Sequence, residues 1–241
     1  MKKTILAASA VVALTSLPNA AFADLSFNVG AVTDYRYRGI SQTRLKPAVQ
    51  GGIDYSNGGF YVGTWASTIK WIKDAGGDDD VELDLYGGYK GDIIKDSLSY
   101  DVGLLRYQYP SNKLNPNANT TEVYGALTYG AFTFKLSDSV TNLFGNPDSK
   151  NSMYGDLSAS FDVYEGLTVA PHVGYQKIHG TNSSVGSYWD YSLTLSKDFK
   201  GFVPSIAIVG TRSADKAFYS APNDGKALAG ATVVAGVKFN F

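Results

Sequence analysis

The sequence has no cysteine, so no disulfide can staple the fold and no thiolate is available as nucleophile or metal ligand. Histidine is almost as scarce, with only His172 and His179. No G-x-S-x-G, H-E-x-x-H or glycine-rich phosphate loop ending in Gly-Lys-Ser/Thr occurs, so triad, zinc-hydrolase and nucleotide chemistry lack their usual residues. After residue 23 no apolar run reaches the roughly 20 residues of a membrane helix, which excludes a helical membrane protein. Basic excess is absent too: 21 Lys and Arg stand against 22 Asp and Glu. No nucleic-acid partner is expected, because that needs a basic footprint. No cofactor and no metal is implied.

What is present begins with a leader. MKKTILAASAVVALTSLPNAAFA places Lys2 and Lys3 before an apolar run and ends on Ala21-Phe22-Ala23. This is the layout of a cleavable secretory signal peptide over residues 1–23, leaving a mature chain of 24–241. Without the two leader lysines the balance is 19 basic against 22 acidic residues. The chain is rich in tyrosine (17) and glycine (26) and poor in methionine (2), a composition that fits a β-barrel held without disulfides.

Period-two alternation runs almost without pause from Leu25. Val81, Leu83, Leu85 and Tyr89 oppose Glu82, Asp84, Tyr86 and Lys90. Trp189, Tyr191, Leu193 and Leu195 oppose Asp190, Ser192, Thr194 and Ser196, and the closing GATVVAGVKFNF behaves alike, with Lys238 among the polar positions. In LSFNVGAVTDYRYRG, Tyr35 and Tyr37 share the apolar parity while Asp34, Arg36 and Arg38 take the other. The parity of SLSYDVGLLRYQY switches, so either a bulge lies near Leu104 or its tyrosines face inward. About twelve strands result, within the even-numbered range of bacterial barrels.

The connections alternate strictly between short ones, such as Gly130-Ala131, and long polar ones, such as Pro110 to Thr120. An antiparallel transmembrane β-barrel needs that asymmetry, with short periplasmic turns and longer extracellular loops. Aromatic residues flank the short turns: Tyr55, Phe60, Tyr89, Tyr129, Phe132, Phe161, Tyr164, Phe199, Phe202, Phe239 and Phe241. They are expected to form the periplasmic girdle at headgroup level. Tyr37, Trp65, Tyr175 and Trp189 are candidates for the opposite girdle.

DYRYRGISQT (34–43), followed by PAVQGGIDYSNGGFYVGTWAS, resembles the opening of the TorF family of bacterial porins. The likeness continues through VELDLYGGYKG and SYDVGLLRYQYP. It implies an outer-membrane channel and names a class more firmly than a cargo. A C-terminal phenylalanine on an alternating strand also resembles the signal read by the barrel-assembly machinery, which makes Phe241 the expected contact with that partner.

If the apolar parity faces lipid, the other builds the lumen. Its candidate selectivity residues are Asp34, Arg36, Arg38, Asp54, Glu82, Asp84, Glu122, Lys135, Asp156, His172, Asp190 and Lys238, with Asp162 on the same parity. So many charges need water or partners, since an unpaired buried charge costs several kcal/mol. The expected function is passive diffusion of small hydrophilic solutes through a narrow charged lumen. Arg36 and Arg38 would favour anions and the facing carboxylates cations. The alternative is a non-conducting barrel, either sealed by its own charge ladders or binding a partner through the Thr211–Leu228 loop. An enzyme built on His172 is the least supported reading. Gly39 and Arg38 are either a constriction at the outer mouth or simply a turn. Asp78-Asp79-Asp80 is either a divalent-ion bridge to lipopolysaccharide or a solvated loop. Membrane lipid is the remaining expected partner.

Overall fold

The computed structural model describes residues 24–241 except Asn223; the leader assigned to 1–23 lies outside them. The alternating segments become twelve antiparallel strands. The first six are β1 (Asp24–Val32), β2 (Ala48–Asn57), β3 (Phe60–Thr68), β4 (Val81–Ile94), β5 (Leu98–Gln108) and β6 (Thr120–Tyr129). Then come β7 (Phe132–Ser139), β8 (Met153–Ala159, continued by Phe161–Tyr164), β9 (Leu167–Lys177), β10 (Tyr188–Lys197), β11 (Phe202–Arg212) and β12 (Thr232–Asn240).

Each strand pairs with its sequence neighbours, and β12 returns to β1, so the sheet closes on itself. In the closing seam Val29 faces Phe239 and Gly30 faces Lys238. Beyond the ladder, Phe241 donates its N–H to the Phe27 carbonyl at 2.9 Å and accepts the Phe27 N–H at 3.2 Å. Closure leaves no unpaired edge, a condition for a sheet standing in hydrocarbon.

Alternation sorts the two faces sharply. Outward Phe60, Leu104 and Val233 are 65%, 55% and 59% exposed, while inward Glu82, Asp84 and Glu122 are each 2% exposed. Water would penalise that outward surface, which recurs on every strand; lipid does not. The short connections between β2 and β3, β4 and β5, β6 and β7, β8 and β9, and β10 and β11 lie at one end, here the turn end. The long connections, including the single-turn helix α1 (Trp71–Asp74), lie at the other, the loop end.

The abundance of tyrosine and glycine has a packing reason. Inward tyrosines lie flat across a glycine of the neighbouring strand. A Cβ at Gly88 would sit 2.5 Å from the Tyr61 hydroxyl, and one at Gly103 2.6 Å from that of Tyr124. These glycines make room for rings that fill a narrow lumen, as aromatic-over-glycine pairs do in sheets.

One open alternative is settled in favour of inward tyrosines, and two expectations need correction. Pairing between β4 and β5 is continuous from Leu83↔Gln108 to Asp92↔Ser99, so there is no bulge near Leu104; Leu105 and Tyr107 point inward and Leu104 outward. Trp65 belongs to the lumen, not to an outer girdle: on β3 it shares its parity with buried Tyr61 and Ser67 and packs on Tyr35 at 5.4 Å. The strand carrying Asp162 breaks at Ser160, and Asp162 is exposed at the turn end, where the β8–β9 register shifts.

Candidate functional site

Past Val32 the chain leaves the barrel wall. Thr33 marks the departure, giving its N–H to the Ala235 carbonyl and accepting the Ala235 N–H on its hydroxyl. Residues 34–46 then fold inward as a hairpin in which Arg36 pairs with Ser41 and Tyr37 with Ile40. Asp34 ties the base together, accepting from Ser41 Oγ at 2.5 Å, Arg36 Nε at 2.6 Å and Thr43 Oγ1 at 3.2 Å.

At the tip, Arg38 and Gly39 both have positive φ, 46° and 78°. Two left-handed residues in a two-residue connection match the twist of a hairpin, but the left-handed region costs a non-glycine residue roughly 1–2 kcal/mol. Contacts of Arg38 offset that cost. Its guanidinium donates to both carboxylate oxygens of Glu122 on β6 at 2.9 and 2.7 Å, and to Gln176 Oε1 on β9 at 2.5 Å. It also lies 4.0 Å above the Tyr154 ring and 4.8 Å from that of Tyr37. A Cβ on Gly39 would meet Thr211 at 2.7 Å and Asp190 at 2.9 Å, so the tip is wedged against β10 and its neighbour.

The rest of the hairpin reaches other walls. Arg36 Nη1 donates to the carbonyls of Gly39, Leu228 and Gly230 at 2.9, 3.1 and 3.2 Å. Tyr35 donates to Glu82 on β4 at 2.6 Å, and Tyr109 donates to the other Glu82 oxygen at 2.7 Å. The hydroxyls of Tyr37 and Tyr107 meet at 2.7 Å. The hairpin therefore spans the lumen as a brace from β4, β5 and β6 to β9. Above it the long loops converge on aromatic rings: Phe144 packs on Tyr37, Tyr107 and Trp71, and Trp71 on Tyr109.

Asp34, Arg36 and Arg38 are thus not lumen-lining strand residues; they sit on this inserted hairpin, and Tyr35 and Tyr37 are inside with them. Their alternation is that of a hairpin with two buried faces, which reads the same as a lipid-facing strand.

Below the hairpin the inward side chains are polar and tyrosine-rich. Asp54 accepts from Tyr86 at 2.6 Å, and Asp101 accepts from Tyr61 at 2.5 Å, whose hydroxyl also meets that of Tyr124. Lys135 lies 3.8 Å over the Tyr124 ring. His172 Nε2 is 2.5 Å from Asp156 and 3.1 Å from the Tyr154 hydroxyl, which also donates to Asp190 at 3.0 Å. Lys238 faces inward opposite Gly30 and is half-buried. Asp101 went unnoticed in the sequence because the parity of its strand read two ways; Tyr61 was hidden in the same manner.

At the turn end, Phe60 and Tyr89 pack at 4.7 Å, Phe132 and Phe161 at 5.8 Å, and Phe202 and Phe239 at 5.1 Å. At the loop end Tyr175 and Trp189 face outward at 4.8 Å, whereas Tyr37 and Trp65 do not. Each member of the acidic triplet is engaged: Asp78 with Lys113 at 2.7 Å, Asp80 with Lys73 at 2.9 Å, and Asp79 with the backbone N–H groups of Val81 and Ser111. The Lys113 and Lys73 ammonium hydrogen bonds hold Asp78 and Asp80 below the ordinary carboxylate range.

The fold is that of porins. A KdgM porin superposes with a TM-score of 0.56 at 10% identity over 90% of this chain and 99% of its own. The same values hold for a KdgM porin in complex with disordered oligogalacturonate. A protein from a study of in-meso crystallization of membrane proteins gives 0.52 at 7% identity, over 90% of this chain and 83% of its own. No curated protein matches by sequence. Residues 18–241 match a family described as "Bacterial protein of unknown function (Gcw_chp)", a description that does not carry the TorF name. The chain belongs to the Gcw_chp family.

Proposed function

We propose that this protein is an outer-membrane channel for passive diffusion of small hydrophilic solutes, narrowed by the inserted hairpin. One observation carries the reading: a closed barrel presents apolar side chains outward on every strand and charged or hydroxyl-bearing ones inward. A lumen of that character stabilises polar solutes against the bilayer's low dielectric. In this reading the TorF resemblance describes the same kind of protein. The turn end faces the periplasm, the loops face outward toward lipopolysaccharide, and Phe241 is presented to the assembly machinery.

The charged lumen candidates then divide by role. Arg38, Glu122 and Gln176 make the constriction, with Asp34 and Arg36 holding the hairpin's shape. Asp54, Lys135, Asp156, His172 and Lys238 line the lumen on the turn side of the hairpin, and Asp190 lies against the hairpin tip. No catalytic role is assigned: among the described residues His172 is hydrogen-bonded to no serine, its Nε2 meeting Asp156 and Tyr154 and its Nδ1 lying 3.6 Å from Asp190.

A second reading is favoured by the brace itself. If Arg38 never releases Glu122 and Gln176, the barrel is sealed. Planar-bilayer recording of the purified full chain separates the two. Steps of conductance are expected; silence across salts and voltages, with Arg38→Ala equally silent, would reject conduction.

A further inference from the structure

Beside the brace stands a group of negative charge that the hairpin does not neutralise. Glu82 and Asp84 alternate on β4, so both face inward, about 7 Å apart along the strand. Glu82 accepts two tyrosine hydroxyls, which satisfy hydrogen bonding but bring no positive charge. Glu122, two strands away, takes both of its charge-assisted bonds from Arg38. Asp84 is 2% exposed, and among the described residues its Oδ1 has no hydrogen-bond partner.

A buried carboxylate oxygen without a donor is rare and costly. A water would satisfy the hydrogen bond but not the charge. The surroundings favour one kind of guest. Asp84 is in cross-strand register with Trp65 on β3 and with Tyr107 on β5, both inward-facing. A carboxylate bordered by two aromatic side chains suits a compact cation with N–H donors, which an aromatic ring can also attract.

We infer that Asp84, flanked by Trp65 and Tyr107, binds the ammonium group of a small protonated amine at the inner side of the constriction. The Asp84 carboxylate accepts from the ammonium, Trp65 and Tyr107 border it, and Glu82 adds long-range attraction. The transport role of this site rests on the channel reading; binding does not.

The test uses the full chain folded in detergent micelles, with methylammonium chloride as the probe. Saturation-transfer NMR should show saturable binding that weakens about tenfold in Asp84→Asn, the loss expected for one charge-assisted hydrogen bond. Trp65→Leu, which keeps the carboxylate, should weaken it by a smaller factor. An equal concentration of potassium chloride should leave most of the signal. Absence of saturable binding, unchanged affinity in Asp84→Asn, or complete loss of signal in potassium chloride would each overturn the proposal. If Asp84→Asn does not fold, an unchanged affinity in Trp65→Leu overturns it instead. Reversal potentials in a methylammonium chloride gradient supply the separate arm. Silent bilayers with saturable binding would reject the channel and leave the site standing, whereas conduction without binding would do the reverse.

Discussion

The two halves of the barrel interior are built on different principles. Near the loops the lumen is packed like the core of a soluble protein: Tyr35, Tyr107, Tyr109, Ile69 and Ile72 form one buried cluster. Asp34, Arg36, Arg38 and Glu122 are locked there by bidentate or multiple hydrogen bonds, whereas Asp84 keeps an unpartnered oxygen. Near the turns, Lys90, Asp101 and Lys238 stand half-buried. The same inward parity thus serves as core at one end and carries half-buried charges at the other. The difference arises because one loop, rather than any strand, occupies the outer half.

Removing the brace should break that contrast most strongly. Arg38→Ala leaves Glu122 buried without its cation, and loss of one partner of such a pair costs roughly 3–5 kcal/mol. Thermal unfolding in detergent should fall accordingly, and single-channel conductance should rise; unchanged conductance in a conducting barrel would show that the hairpin is not the constriction. Where the variant conducts, reversal potentials in a salt gradient should also shift toward cations, because a guanidinium has left the hairpin tip beside Glu122.

A smaller effect is expected from Tyr35→Phe. It deletes one of two hydroxyls on Glu82, a hydrogen bond to a charged group worth about 1.5–3 kcal/mol. The melting temperature should drop without the full rise in conductance seen for Arg38→Ala. Gly103→Leu tests the turn-end half, since its side chain must displace the Tyr124 ring. Overpacking there should cost about 1–3 kcal/mol, read from the same melts.

The smallest effect concerns the loops. Asp78 and Asp80 are held below 3.8 by the hydrogen-bonded Lys113 and Lys73. Their contribution to loop order is therefore present above the unfolded value and lost as pH falls below it. Lys73 is raised above 10.5 by its hydrogen bond to Asp80, so its share is full below that value and fades above it. Proteolysis of the 69–80 loop should accelerate modestly at either extreme and stay flat between; acceleration near neutral pH would exclude these pairs as the cause.

Most of the fold was legible because lipid and lumen impose a strict period of two, and because turns and loops alternate in length. Val81 to Lys90 could be sorted by eye into the faces it now occupies. The site was less legible. DYRYRG reads as a continuing strand, and nothing local distinguishes a hairpin buried on both faces from a strand with lipid on one side. Trp65 was misread as an interfacial residue because amphipathic rings suit a headgroup boundary and a crowded lumen equally well. In SLSYDVGLLRYQY the inward tyrosines imitate an apolar row. What Tyr107 and Tyr109 signal is a hydroxyl partner, Tyr37 and Glu122 for the first and Glu82 for the second, and each of these lies on another element.

The seam between Phe27 and Phe241 has a kinetic consequence. It joins the most widely separated parts of the folded chain, so the ring cannot be completed until its last strand arrives, and such distant pairings form slowly. With eleven strands in hydrocarbon, both margins would expose unsatisfied N–H and C=O groups at several kcal/mol each. Insertion should therefore commit only at the final pairing, and a chain stalled one strand short needs an external escort to shield its open margins.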